Sequence, residues 1–272
     1  MTAARTRMAR PLAALALLAA FGLLAGCASA PTPKVGASGT TGTETVDGQT
    51  LTVFAAASLK NTFTELASAF EDSHPGVTVS LTFAGSADLV SQVSEGAPAD
   101  VVAFADEKNM AKLTDAGLIE GTPVLFASNT LEIAVPPGNP AGIASFRDLA
   151  QPEAKVVVCA AQVPCGSAAV TIEQATGIEL APVSEESAVT DVLGKVSSGE
   201  ADAGLVYVTD VEAAGDAVEG IAFPESSEAV NAYPIGVVAT SKRARVAAEF
   251  AELVTGATGQ KVLAAAGFAK PR

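Results

Sequence analysis

The stretch VTVSLTFAGSADLVSQVSEGAPADVVAFA (77–105) decides the fold class. Val77, Val79, Leu81 and Phe83 alternate with small polar residues, the period of a strand with two different faces. From about Ser86 to Ser94 the spacing becomes helical, and ADVVAFA (99–105) is a short, continuous apolar run of the kind a fully buried strand needs. Strand, helix and strand in succession predict a parallel sheet with helices on both faces.

The same alternation extends in both directions. Upstream, LTVFAAA (51–57) reads as a buried strand, and Leu59, Phe63, Leu66 and Phe70 follow at helical spacing. Downstream, Met110 and Leu113 mark the next helix. The pattern resumes with the strand KVVVCA (155–160), helices from Ser167 to about Ala175 and from Val189 to about Ser198, and the strand AGLVYV (203–208). Two sheets of this size suit two α/β lobes better than one. TLEIAVP (130–136) and AYPIGVVA (232–239) read as the crossings between them, with the last helices, marked by Val246, Phe250, Leu253, Val262 and Leu263, returning to the first lobe. The expected division is therefore a discontinuous lobe 1 of 50–131 plus 238–272, and a lobe 2 of 132–237.

The N-terminus carries Arg5, Arg7 and Arg10, an Ala/Leu-rich run from Pro11 to Leu24, and the string LAGC ending at Cys27. This is the layout of a secretory signal ending in a lipobox. The run is short for a bilayer span, which takes roughly 20 apolar residues. Residues 1–26 are read as a lipoprotein signal peptide cleaved before Cys27, whose thiol would take the lipid. A stretch of Ala, Pro, Thr, Gly and Ser follows to residue 49 and reads as a flexible tether. About 220 residues remain, enough for a sizeable core.

With the three leader arginines set aside, 13 of the 16 basic residues face all 30 acidic ones, a formal charge of −17. A surface of that sign argues against nucleic acid and anionic lipid headgroups as partners, because both demand a basic patch. Cys159 and Cys165 stand six residues apart in KVVVCAAQVPCGS. Outside the membrane such a pair is a disulfide candidate, and two reduced thiols are the alternative that spacing does not exclude.

The chemistry concentrates where strands hand over to helices. Open parallel sheets bind ligands beyond the carboxyl ends of their strands. Here those ends read AAASL (55–59), FAGSAD (83–88), VPCGSA (163–168) and ESAVTD (186–191), each built of small or hydroxylated residues and each opening a helix. Helix N-termini present unpaired N–H groups and partial positive charge, so several aimed at one point form an anion site without any charged side chain. Ser58 and Ser86 would add hydroxyl donors, although serine is also an ordinary N-cap.

Other chemistries find little support. His74 is the only histidine and sits in the turn DSHPG, where a solvated loop residue is expected, so a serine nucleophile has no base. The cysteine spacing is not that of a metal site, and no phosphate-loop or dinucleotide fingerprint is present. No enzyme is expected. Asp88 and Asp191 lie near the donor loops, which leaves room for a carboxylate that would accept a proton from phosphate.

The strings FAAASL, TFAGSADLVSQVSEGAPADVVAFAD, VPCGSA and AVTDVLGKVSSGEADAGLVYVTD, in this order and spacing, resemble the periplasmic molybdate-binding proteins of ABC importers. The cysteine-containing loop is similar to that of their actinobacterial lipoprotein branch. The resemblance runs from about Leu51 to Pro271. It implies a periplasmic-binding-protein type II fold with a ligand cleft between two lobes, and molybdate or tungstate as ligand. Held as an oxyanion, the metal would be ligated by no side chain directly. Carried over residue by residue, the resemblance implies donors from the hydroxyl and N–H of Ser58 and Ser86, the N–H of Cys165 and of Val189, and the phenol of Tyr207. The family often has a small residue where Cys165 stands, so only the backbone donor carries over there. A Cys159–Cys165 disulfide would stiffen that loop. The resemblance further implies a monomer without cofactor, lipid-anchored outside the cell membrane and serving ABC permease subunits. Another tetrahedral oxyanion such as sulfate, and a non-transport surface lipoprotein, are the alternatives.

Overall fold

The computed structural model describes residues 49–272. The expected signal peptide, Cys27 and the tether as far as residue 48 lie outside the described residues.

The chain runs β1 (Gln49–Ala56), α1 (Lys60–Ser73), β2 (Val77–Ala84), α2 (Ser86–Ser94), β3 (Val101–Ala103), α3 (Glu107–Asp115) and β4 (Ile119–Asn129). It continues through β5 (Leu131–Val135), β6 (Val156–Cys159), α4 (Pro164–Thr176), β7 (Ser184–Glu186), α5 (Val189–Ser197), β8 (Ala203–Tyr207), α6 (Val208–Ala214) and β9 (Glu219–Ile221). It ends with β10 (Asn231–Val238), α7 (Ala244–Thr255) and α8 (Ala257–Ala265). Two five-stranded sheets result, ordered β2-β1-β3-β10-β4 and β7-β6-β8-β5-β9.

The two α/β sheets hold the expected parallel strands together with antiparallel ones. In the first, β10 runs antiparallel to both β3 and β4; in the second, β5 runs antiparallel to both β8 and β9. These are the two strands that follow a crossing between lobes, and the register explains their direction. Leu131 at the start of β5 pairs with Tyr207 at the end of β8, and Asn231 at the start of β10 pairs with Asn129 at the end of β4. The other strands carry their carboxyl ends to the cleft. A chain that crosses at the cleft enters the opposite sheet from that end and must run away from it.

All of β10 (Asn231–Val238) is a strand of the first sheet, and the expected boundary at 237/238 falls at its end. Periodicity showed a strand there; sheet membership depends on partners that periodicity does not report. The long strand β4 had no clear signal, because its first half is exposed and interrupted by Gly121 and Pro123.

Apolar faces close lobe 1 through an aromatic cluster. Phe63 and Phe70 of α1 meet Phe250 of α7 with ring centroids 6.1 and 5.3 Å apart, and Phe63 meets Phe126 of β4 at 5.9 Å. Gln260 of α8 donates to Phe126 O at 2.8 Å, so both final helices are fastened to the first lobe. His74, expected as a solvated turn residue, instead forms the C-cap of α1 and stacks on Phe70 at 3.8 Å between centroids.

Candidate functional site

The lobes touch across the cleft. Asn231 Nδ2 donates to Ala105 O at 2.8 Å within lobe 1 and reaches Pro164 O at 3.4 Å in lobe 2, and Asn109 Nδ2 reaches Gln162 O at 3.4 Å. Between the touching faces lies a small cavity with an empty volume of about 200 Å³, lined by Ser58, Ser86, Cys165, Val189 and Tyr207 among others. All five residues singled out in the sequence therefore meet around one space, although they come from five separate junctions. Pockets for drug-sized molecules offer roughly 300–1,000 Å³ of accessible space and this one offers about 10 Å³ to a water-sized sphere, so only a small ligand comes into question.

The four helix junctions deliver their N–H groups as the local sequence dictates. Ser86 is the first residue of α2, after Gly85 in extended conformation; Val189 is the first residue of α5, after Ala188. Cys165 follows Pro164 at the head of α4, where proline is favoured because its missing N–H would be unpaired anyway. Ser58 lies in the single 3₁₀ turn that leads from β1 into α1. N–H groups at such positions have no partner within their own helix.

The hydroxyls are not caps. Neither the α1 nor the α2 N-cap makes a side-chain hydrogen bond. Ser86 Oγ instead accepts from Ala105 N–H at 3.1 Å, which occupies a lone pair and leaves its proton to donate elsewhere. Ser58 Oγ lies 3.1 Å from the phenol oxygen of Tyr233. Tyr207 sits at the last position of β8, 1% exposed, and its hydroxyl is buried without a hydrogen-bond partner among the described residues. Burial, reinforced by the neighbouring Tyr233, pushes its pKa well above the ordinary phenol value, so it stays protonated and remains a donor. A buried polar group left unpaired costs free energy unless something arrives to pair it.

Among the described residues, no Lys, Arg, Asp, Glu or His lines this cavity. Asp88 and Asp191, candidates for a phosphate-proton acceptor, line an open groove of about 800 Å³ on the far side of Gly85 together with Lys60. Asp210 is buried one turn into α6, where its Oδ2 accepts from Tyr207 N–H at 3.0 Å and desolvation raises its pKa to about 7.

Cys159 and Cys165 form a disulfide with Cα atoms 5.6 Å apart, tying the end of β6 to the head of α4. Gly166 completes this tight junction: a Cβ there would lie 2.1 Å from Ala160 O and 2.4 Å from Cys159 O.

Sequence reading missed Tyr233, Gly85 and Ala105. Only Tyr233 had a usable signal, as one of two tyrosines in a chain without tryptophan. The two rings meet edge to face, with centroids 6.0 Å apart.

Residues 51–269, nearly the whole described chain, match the model of a family described as bacterial extracellular solute-binding protein. The chain belongs to that family. Among its relatives, this extracellular solute-binding protein is 48% identical over 227 residues to the molybdate-binding protein ModA of Mycobacterium tuberculosis, a match covering 84% of this chain and 87% of the other. The periplasmic molybdate-binding protein of Azotobacter vinelandii shares the fold with a TM-score of 0.72 at 23% identity, over 82% of this chain and 100% of that one. The sulfate-binding protein SubI of M. tuberculosis matches with a TM-score of 0.68 at 25% identity, over 81% and 86%. An extracellular solute-binding protein works outside the cytoplasm and carries its ligand without transforming it. Accordingly, the hydroxyls of Ser58 and Ser86 face Tyr233 and a backbone N–H rather than a general base.

Proposed function

We propose that this chain is the solute-binding protein of an ABC importer, capturing molybdate, and tungstate as its near-isostere, between two closing lobes. The observation that carries the reading is the small cavity between the lobes, walled by neutral donors from both and, among the described residues, by no charged side chain. The 48% identity to a molybdate-binding protein supports the choice of anion.

In this reading the ligand receives the hydroxyl and N–H of Ser58 and of Ser86 from lobe 1. Lobe 2 supplies the N–H of Cys165, the N–H of Val189 and the phenol of Tyr207. Helix N-termini stabilise a dianion by partial charge, and charge-assisted hydrogen bonds are about twice as strong as neutral ones. Neither lobe holds the complete donor set, so binding and closure are one event, and the closed form is what permease subunits would recognise. Lobe 1 comprises residues 50–130 with 231–272, and lobe 2 the residues between, in this assignment. The protein acts as a monomer, held to the outer face of the membrane through lipidated Cys27.

Charge distinguishes molybdate from phosphate. Near neutral pH part of the phosphate keeps a proton, which requires an acceptor, and Asp88 and Asp191 stand in the groove outside. Sulfate is the closer rival, because it is also a tetrahedral dianion and a sulfate-binding protein shares the fold. Size then selects: donors fixed at wider spacing favour the larger ions.

Calorimetric titration of residues 50–272 with molybdate, tungstate, sulfate and phosphate tests this. Tight binding of the first two alone is the expected result. Binding of sulfate or phosphate in their place keeps the fold and overturns the ligand, and no binding of any of the four overturns the oxyanion reading.

A further inference from the structure

Gly85 has a backbone conformation that any residue adopts, φ −60° and ψ 141°, so nothing in its own lobe calls for glycine. The requirement comes from the other side of the cleft. A Cβ at this position would lie 1.9 Å from Ser187 O and 3.1 Å from Ser187 C, with Val163 Cγ1 at 3.7 Å, and all three atoms belong to lobe 2. Ser187 O is a backbone atom between β7 and α5, so no rotamer change relieves the overlap.

The contact also forms a wall. Gly85 lines the small cavity on one side and the open groove on the other, and Ser187 lines the groove beside it. Where the backbones of Gly85 and Ser187 meet, the cavity borders the groove.

We propose that Gly85 sets the depth of lobe closure, and through it the size of anion retained: the missing Cβ lets the β2–α2 junction seat against the Ser187 carbonyl. This rests on the oxyanion reading. Relaxing a 1.9 Å approach to an ordinary contact separates the faces by about 1 Å or more at this point. Hydrogen bonds of about 2.9 Å do not survive such a displacement. The donors of one lobe would then no longer reach an anion held by the other, and the wall to the groove would open.

Gly85 is also the N-cap of α2, where glycine and serine are favoured and alanine is not. Two substitutions separate the roles. Gly85→Ala adds a Cβ and weakens the cap; Gly85→Ser adds the same Cβ and keeps a good cap. Titration of wild type and both variants with molybdate, with thermal melts of the ligand-free proteins, is the test. Closure control requires both variants to lose affinity by about tenfold or more, with the ligand-free melting temperature of Gly85→Ser close to wild type. Wild-type affinity in Gly85→Ser overturns the proposal, whether or not Gly85→Ala binds weakly, since the cap would then account for any loss.

Should wild type itself bind no molybdate, the ligand assignment falls and the closure claim is judged on crystal structures of wild type and Gly85→Ser. A wider separation of residues 85 and 187 in the variant sustains it. Superimposable lobes overturn it.

Discussion

The hydroxyl oxygens of Ser58 and Tyr233 lie 3.1 Å apart, joining the turn after β1 to a strand that re-enters lobe 1 from the cleft. Tyr233 is fully buried, and desolvation raises its pKa above the ordinary phenol value, so it remains protonated and is able to donate to Ser58. When it does, the Ser58 proton is free to point into the cavity. Tyr233→Phe is expected to weaken molybdate binding by about tenfold through loss of this orientation, and Ser58→Ala by more, since it removes the donor itself. Calorimetry on the two variants ranks them; equal affinity of Tyr233→Phe and wild type would show that Ser58 needs no such partner.

Tyr207→Phe gives the opposite signs for stability and binding. Its hydroxyl is buried and unpaired without ligand, so removing it is expected to leave the ligand-free melting temperature unchanged or raise it. The same change removes a donor to an anion, a bond of about 1.5–3 kcal/mol, and should weaken binding by roughly 10- to 150-fold. A variant that melts lower and binds normally would make Tyr207 a packing residue only.

The Cys159–Cys165 bridge closes a loop of a few residues, for which chain entropy assigns about 2 kcal/mol. Replacing both cysteines by serine should lower the melting temperature by about 5 °C. It should also reduce affinity several-fold, because the bridge fixes the turn that aims Cys165 N–H. Unchanged affinity with a lowered melting temperature would confine the bridge to stability.

Asp210 gives stability a pH dependence whose sign follows from burial. Its folded pKa of about 7 exceeds the ordinary carboxylate value of 3.8, so the native state holds the proton more tightly than the unfolded chain. The contribution is complete below about pH 4 and is lost as pH rises through about 7. A shift of this size corresponds to at most about 4 kcal/mol. Urea unfolding of wild type and Asp210→Asn at pH 4.5 and pH 8 should show the variant gaining on wild type at the higher pH. A constant difference between the two proteins would mean that Asp210 does not titrate in this window.

Much of this was legible from local pattern. The period-two run from Val77 and the helical spacing after it gave β2 to within a residue and α2 with the bounds observed, because both report a residue's own neighbours. The four junctions, with Ser58 and Ser86, were legible because helix starts carry a local signature and because parallel strands gather such starts at one edge, while Cys165 and Val189 within them were named through the family resemblance. Tyr207 came through the family resemblance, since a tyrosine in GLVYV reads equally as strand packing.

The remainder depends on what lies across a gap. The reversed direction of β5 and β10 follows from the side on which the chain enters each sheet. The pairing of Tyr233 with Ser58 spans 175 residues, and that of Ala105 with Ser86 spans two elements. The need for glycine at 85 exists only once Ser187 arrives from the opposite lobe. The sequence by itself determined most of the elements, the class of fold and the strand-to-helix junctions where donors are expected, all of which follow from short-range stereochemistry and polarity. Tertiary structure alone decided which donors share one cavity, which carboxylates stay outside it and how closely the lobes meet, because those depend on distances between segments that no local rule encodes.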